Sequence, residues 1–187
     1  MDRCTFSPAA PNDLPAVYAL IGSRIRWMQE HGNTQWDTYR EAYPDSYFED
    51  ITRDGRLWLL WQNERVAAMV SLWDSDRRWT DGVPALYLHN LAAHGDFPGA
   101  GAEILRRCAE HARALDRHRL RLDCSARNPR LNEYYETQGF VFVTALPGNV
   151  YYQPNQREIH GIGGHPIFFV CGYEIGRSTR LNSSHIL

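Results

Sequence analysis

Residues 57–72, LWLLWQNERVAAMVSL, hold two apolar runs separated by Asn63-Glu64-Arg65. Runs of this length around polar turn residues predict strands at Leu57–Gln62 and Val66–Leu72 joined as a hairpin. A hairpin is antiparallel, so its sheet is not a purely parallel one made of strand–helix–strand crossovers. Along the rest of the chain, strands and helices follow one another without strict alternation. The fold class is therefore α+β with a mixed sheet.

Upstream, Arg3–Ser7 predicts an edge strand. A helix opens at Asn12 or Asp13, carries Leu14, Val17, Tyr18, Ile21, Ile25 and Met28 on one stripe, and ends near Gly32. Residues 36–53 predict a second helical stretch, rich in Tyr and Trp and broken at Pro44. Downstream, Ala85–Ala93 reads as a strand. A Gly-rich turn follows, then a helix to about Leu115 with Ile104, Leu105, Cys108, Ala109, Ala112 and Leu115 inward. Leu120, Leu122 and Cys124 alternate with Arg119, Arg121 and Asp123, the period of a strand. Further strands are predicted at Phe140–Ala145 and Val150–Gln153.

The chain of 187 residues is 43% hydrophobic, enough for one core and one principal domain. Its net charge of −2 argues against a protein built to bind the nucleic-acid backbone. The four cysteines, Cys4, Cys108, Cys124 and Cys171, are widely spaced, so neither a metal site nor a disulfide framework is expected, and a cytoplasmic setting follows. No apolar run reaches the ~18–20 residues of a membrane span, and no signal peptide is apparent.

Two stretches carry chemistry. In HGDFPGAGAEIL (94–105), Gly99 and Gly101 lie between a strand and a helix. Glycines there let backbone N–H groups approach an anion at the positive end of the helix dipole. In NPRLNEYYETQGF (128–140), Asn128 can cap a short helix, Pro129 suits its first turn, and Gly139 can stop it. Leu131, Tyr134, Tyr135 and Gln138 share one face of that helix, which brings two phenols inward. A buried phenol needs a hydrogen-bond partner or a task.

The order of strand, GxG turn, amphipathic helix, strand, Asn-initiated helix with Tyr, then Gly-Phe resembles the GCN5-related N-acetyltransferase (GNAT) family. YLHNLAAH (87–94) leading into PGAGAEILRRCAEHAR (98–113) is similar to that family's acyl-CoA pyrophosphate strand, loop and helix. LRLDCSARNPRLNEYYETQGF (120–140) is similar to its second motif. The resemblance implies a mixed, mostly antiparallel central sheet flanked by helices on both faces, within a domain spanning 1–158. It implies acetyl transfer from acetyl-CoA, as co-substrate and without a metal, to the primary amine of a small molecule. It also admits a homodimer.

By the same resemblance Tyr135 is the acid that serves the leaving thiolate, and Asp123 is a candidate base. A salt-bridged Asp123 paired with Arg121 or Arg127 is the competing reading. Backbone amides at Leu91, Ala92 and Ala93 would meet pantetheine beside a bulge. The turn Gly99, Ala100, Gly101 and Ala102, with Asn128, would bind the rest of the cofactor. His89 and Asn90 are further polar groups on that strand. The aromatic residues Trp27, Trp36, Tyr39, Tyr43, Tyr47 and Phe48 would wall the acceptor site or serve as core. The loop departs from the family pattern at Pro98, which has no N–H, and at Glu103. These departures keep open the alternative of a non-catalytic acyl-CoA or small-ligand sensor. From Ile159 the family pattern stops. The final EIGRSTRLNSSH is similar to a translated sequencing adapter, so 159–187 is expected to be poorly ordered or artefactual at its end.

Overall fold

The structure is a computed structural model that describes residues 4–145 and 154–160. In chain order its elements are β1 (Cys4–Pro8), a 3-10 turn (Pro11–Asp13), α1 (Leu14–Glu30), α2 (Tyr39–Ala42), α3 (Asp45–Arg53), β2 (Leu57–Gln62), β3 (Arg65–Trp73) and β4 (Ala85–Ala93). They continue with α4 (Ala100–Ala114), β5 (Arg119–Ser125), α5 (Pro129–Thr137), β6 (Val141–Ala145) and β7 (Pro154–His160). The strands form a seven-stranded mixed sheet in the order β1-β2-β3-β4-β5-β7-β6. β4 and β5 run parallel. The pairs β1–β2, β2–β3, β5–β7 and β7–β6 are antiparallel, so the α+β expectation holds.

The described residues divide into two compact units. The first comprises 4–72 and 89–104, the second 73–88, 105–145 and 154–160. In the first, Leu14, Val17, Leu20 and Ile21 of α1 are buried with Phe48 and Ile51 of α3. The predicted hairpin is present. Asn63 and Glu64 take φ of 50° and 61°, a two-residue turn whose twist matches the strands it joins, and β3 begins at Arg65. Seven successive β3 residues, Val66–Leu72, are buried, as befits an inner strand covered on both faces. Pro44 separates α2 from α3, since its ring suits a helix boundary and not an interior.

In the second unit, Leu120, Leu122 and Cys124 of β5 are buried as the alternation requires. Arg121 on the opposite face is also buried. Its Nε donates to Glu158 Oε2 at 2.8 Å and its Nη1 to Asp81 Oδ1 at 2.8 Å, and its guanidinium lies 4.2 Å from the Trp79 ring. On α4, Leu105, Cys108 and Ala112 are buried as predicted. Leu115 is not: it falls one residue beyond the helix end and is 43% exposed. The strand predicted at Val150–Gln153 lies outside the described residues. β7 instead occupies Pro154–His160, pairing Ile159 with Leu120, so backbone pairing continues past the point where the sequence pattern stops. The remainder of the tail, from 161 on, lies outside the described residues.

Candidate active site

In the first unit the key irregularity is Asn90, in β4 with a φ of +54°. Asn is among the few residues that tolerate the left-handed region, and a single such residue re-aims the strand after it. A bulge was expected around Leu91–Ala93; the distortion sits one residue earlier. The β4–β5 ladder runs from Ala85–Arg119 to Leu88–Leu122, ending two residues before Asn90.

The Asn90 side chain is held from several directions. Tyr47 Oη donates to Asn90 Oδ1 at 2.8 Å, and Asn90 Nδ2 donates to Tyr39 Oη at 3.0 Å. Ser71 Oγ lies 2.8 Å from Asn90 Oδ1 and 3.1 Å from the His89 carbonyl, so its one proton is shared between two acceptors. Burial pushes the Tyr47 phenol up to about 12 and the Tyr39 phenol higher still. Both are therefore neutral phenols at physiological pH, Tyr47 donating to Asn90 and Tyr39 accepting from it. The aromatic residues form a connected row, with Trp36 on Tyr39 at 4.3 Å, Tyr39 on Tyr43 at 4.9 Å and Tyr43 on Tyr47 at 4.9 Å. Of this row only Tyr39 is buried; Trp36, Tyr43 and Tyr47 are half-buried. The row is thus a partly open wall and not solid core.

The turn from β4 into α4 spends some of its amides internally. Ala100 N–H donates to the Phe97 carbonyl at 3.1 Å and Glu103 N–H to the Gly99 carbonyl at 3.0 Å. Among the described residues, the N–H groups of Gly101 and Ala102 take no such carbonyl. Those two amides, at the positive end of a helix of 15 residues, are a donor set suited to an anion. Gly99 has a φ of +86°, which only glycine adopts readily. Two carboxylates could oppose an anion here: Asp96, which is paired with Arg65 at 3.0 Å, and Glu103 in the first turn of α4.

In the second unit, α5 forms as its sequence dictates. Asn128 Oδ1 accepts from Leu131 N–H at 3.1 Å, and Gly139, with a φ of +88°, ends the helix. Its buried residues are Asn132, Tyr134 and Tyr135, whereas Leu131 and Gln138 of the predicted face are only half-buried. Tyr135 packs edge-on to Phe140 at 5.5 Å and beside Tyr134 at 5.7 Å. It is 4% exposed, and its hydroxyl makes no hydrogen bond among the described residues. Burial raises its pKa well above the ordinary phenol, with the neighbouring Cys124 acting in the same direction. Burial likewise brings Tyr134 up to about 12.

Asp123 has a partner that the sequence did not suggest. Its Oδ1 lies 2.7 Å from Arg78 Nη2, while Arg121 is committed to Asp81 and Glu158. Sequence reasoning also missed Asn132 and Arg157. Asn132 Nδ2 donates to the Ser125 and Asn128 carbonyls at 2.8 and 2.7 Å, and its Oδ1 accepts from Arg157 Nη2 at 2.9 Å. This knot fixes the start of α5 to the end of β5. No local pattern announces it, because Arg157 lies 25 residues away.

A distorted strand leading into a helix end with two amides free of carbonyl partners among the described residues, on a mixed α+β sheet, is an arrangement that can receive an anion. Comparison with known proteins makes the family explicit. The family model for the acetyltransferase (GNAT) family matches residues 25–140, and the chain belongs to that family. It is similar, at 26% identity over 147 residues, to the uncharacterized N-acetyltransferase YesJ of Bacillus subtilis (strain 168), covering 74% of this chain and 82% of YesJ. Its fold is similar to that of a GNAT-family acetyltransferase from Streptococcus agalactiae 2603. The TM-score is 0.72 at 17% identity, over 83% of this chain and 94% of that one. It also resembles the PaiA N-acetyltransferase of Thermoplasma acidophilum in complex with coenzyme A, with a TM-score of 0.64 at 10% identity, over 82% and 98% of the two chains. Among the described residues no helix is long and apolar enough to cross a membrane.

Proposed function

We propose that this chain is a cytoplasmic acetyl-CoA-dependent N-acetyltransferase, its domain spanning 1–158, that acetylates the primary amine of a small molecule. The observation that carries the reading is the start of α4, where Gly101 and Ala102 offer backbone N–H groups without a carbonyl partner among the described residues. That donor set suits a diphosphate. Of the four turn residues considered, Gly99 supplies the backbone turn. Ala100 spends its N–H on Phe97, so the contacts fall to Gly101 and Ala102. Leu91, Ala92 and Ala93, just after the Asn90 distortion, would run beside the pantetheine arm, and Asn128 would add a contact besides its cap. Acetyl-CoA, when bound, supplies the acyl group as an activated thioester.

The chain's own residues then have two tasks. An alkyl amine with a pKa near 10.4 is an ammonium at pH 7, and freeing its lone pair costs about 4.6 kcal/mol. Asp123 is the candidate proton acceptor, with Arg78 orienting its carboxylate. Tyr135 Oη holds the proton that a departing thiolate needs. Its burial keeps the phenol neutral, and so able to donate, across the physiological range. The Tyr47–Asn90–Tyr39 cluster fixes polar groups that an acceptor amine or amide could meet.

A second reading, a non-catalytic acyl-CoA sensor, is favoured by one observation: the Asp123 carboxylate is already engaged by the Arg78 guanidinium, at 2.7 Å. Thiol release from acetyl-CoA across a panel of small amines separates the two. Turnover supports the enzyme, and thermal stabilisation by coenzyme A without turnover supports the sensor. No response to coenzyme A of any kind overturns both.

A further inference from the structure

Arg24, in the latter half of α1, is 4% exposed, although charged side chains are seldom fully buried without a partner. No carboxylate is paired with it among the described residues, and its Nε is buried without a hydrogen bond. Its neighbour is the Trp27 ring, 4.5 Å from the guanidinium carbon, which offers a quadrupole and no counter-charge. Burial accordingly depresses its pKa from the ordinary arginine value. An unpaired buried guanidinium is costly and calls for an explanation.

The position of the group supplies one. Arg24 Nη1 lies 3.8 Å from the point where a Cβ on Gly95 would stand. Gly95 opens the turn that ends at the unpartnered amides of Gly101 and Ala102, in the same compact unit as α1. The nearest acid on that turn, Asp96, is already neutralised by Arg65, and the Asp96 N–H is taken up by His94 Nδ1 at 3.1 Å. A fixed positive charge therefore stands beside a helix end that favours anions, and Pro98 within that turn has no N–H to give.

We infer that Arg24 is an anion-binding residue, its guanidinium serving the diphosphate that the 95–102 turn receives. The inference rests on the coenzyme A reading of that turn and adds to it a side chain from α1, some seventy residues away in sequence. The arginine has no counter-charge among the described residues and gains one when the ligand arrives. The Trp27 ring covers it and the side chain is 4% exposed, and low exposure to water strengthens the ion pair once formed.

The test compares wild type, Arg24→Met and Arg24→Lys by calorimetric titration with coenzyme A and with inorganic pyrophosphate, and by melting of the ligand-free proteins. Arg24→Met is expected to weaken coenzyme A about ten- to a hundredfold, the range for losing a charged hydrogen bond. It should flatten the salt dependence of binding and leave the ligand-free melting temperature unchanged or higher. Arg24→Lys should recover part of the affinity. If wild type binds coenzyme A and Arg24→Met binds it within twofold, the inference fails while the coenzyme A reading stands. A ligand-free Arg24→Met that melts several degrees lower also overturns it, since the arginine would then be a structural residue. A wild type that binds pyrophosphate in an Arg24-dependent manner but not coenzyme A keeps the anion site and removes the coenzyme reading. Binding of neither ligand overturns both.

Discussion

Replacing Tyr135 by Phe removes one oxygen and leaves the ring contacts with Phe140 and Tyr134 in place. The oxygen makes no hydrogen bond among the described residues, and the side chain is 4% exposed. Its effect on stability is then mainly that of desolvation. Burying an unpartnered hydroxyl completely costs about 1–3 kcal/mol in proteins, and because Tyr135 Oη is not among the fully buried atoms that lack a partner, its cost falls at or below the low end. Tyr135→Phe should therefore be as stable as wild type or up to about 1 kcal/mol more stable, a rise of roughly 0–4 °C for a chain of this size. Catalysis should move the other way. Loss of a positioned proton donor lowers kcat about 10²–10⁴-fold, with little change in coenzyme A affinity. Paired thiol-release kinetics and differential scanning fluorimetry read both quantities on the same preparation. Because burial raises the phenol's pKa, the wild-type rate should also show no loss from Tyr135 ionisation up to about pH 10. A variant that melts several degrees lower and keeps its kcat would refute the reasoning, since the hydroxyl would then be a structural group and not a proton donor.

Further expectations follow from the same structure. Gly139→Ala places a Cβ at a φ of +88°, so urea denaturation should report a loss of about 1–2 kcal/mol although the space around the site is open. Asn132→Ala frees two carbonyls and the Arg157 guanidinium at once and should cost about 2–4 kcal/mol in the same assay. Hydrogen bonds from Arg121 hold Asp81 at about 2, below its ordinary 3.8. The stability this carboxylate contributes is present above pH 3.8 and disappears as pH falls through about 2. With the carboxylate half-exposed, that contribution is below about 1 kcal/mol. Asp81→Asn should accordingly fall short of wild type at pH 6 and match it near pH 2, as read from denaturation midpoints.

Much of the architecture was legible along the chain. The hairpin at 57–72, the break at Pro44, the capped helix from Asn128 to Gly139 and the Gly-containing turn before α4 are all local matters. They depend on side-chain periodicity, on proline's missing N–H and on glycine's freedom at positive φ, each set by a few adjacent residues. Where a local rule was incomplete, a distant partner had intervened. Leu131 gave way to Asn132 on the inner face of α5 because Arg157 reaches Asn132 from β7. Arg121 sits at a position that alternation assigns to the polar face, yet Asp81, Trp79 and Glu158 enclose it.

The residues closest to the proposed chemistry show the same division. The family resemblance carried by the sequence singled out Tyr135, Asp123 and the 99–102 turn as candidate chemical groups. Only the tertiary structure determined that Asp123 faces Arg78, that Asn90 is clasped by Tyr39, Tyr47 and Ser71, and that Arg24 lies buried beside Gly95 without a counter-charge among the described residues. The physical reason is range. Helix and turn formation is set by interactions between neighbours in the chain. The protonation and partnership of a charged or phenolic group are set by whichever atoms folding brings within about 4 Å, and those are often forty or more residues away.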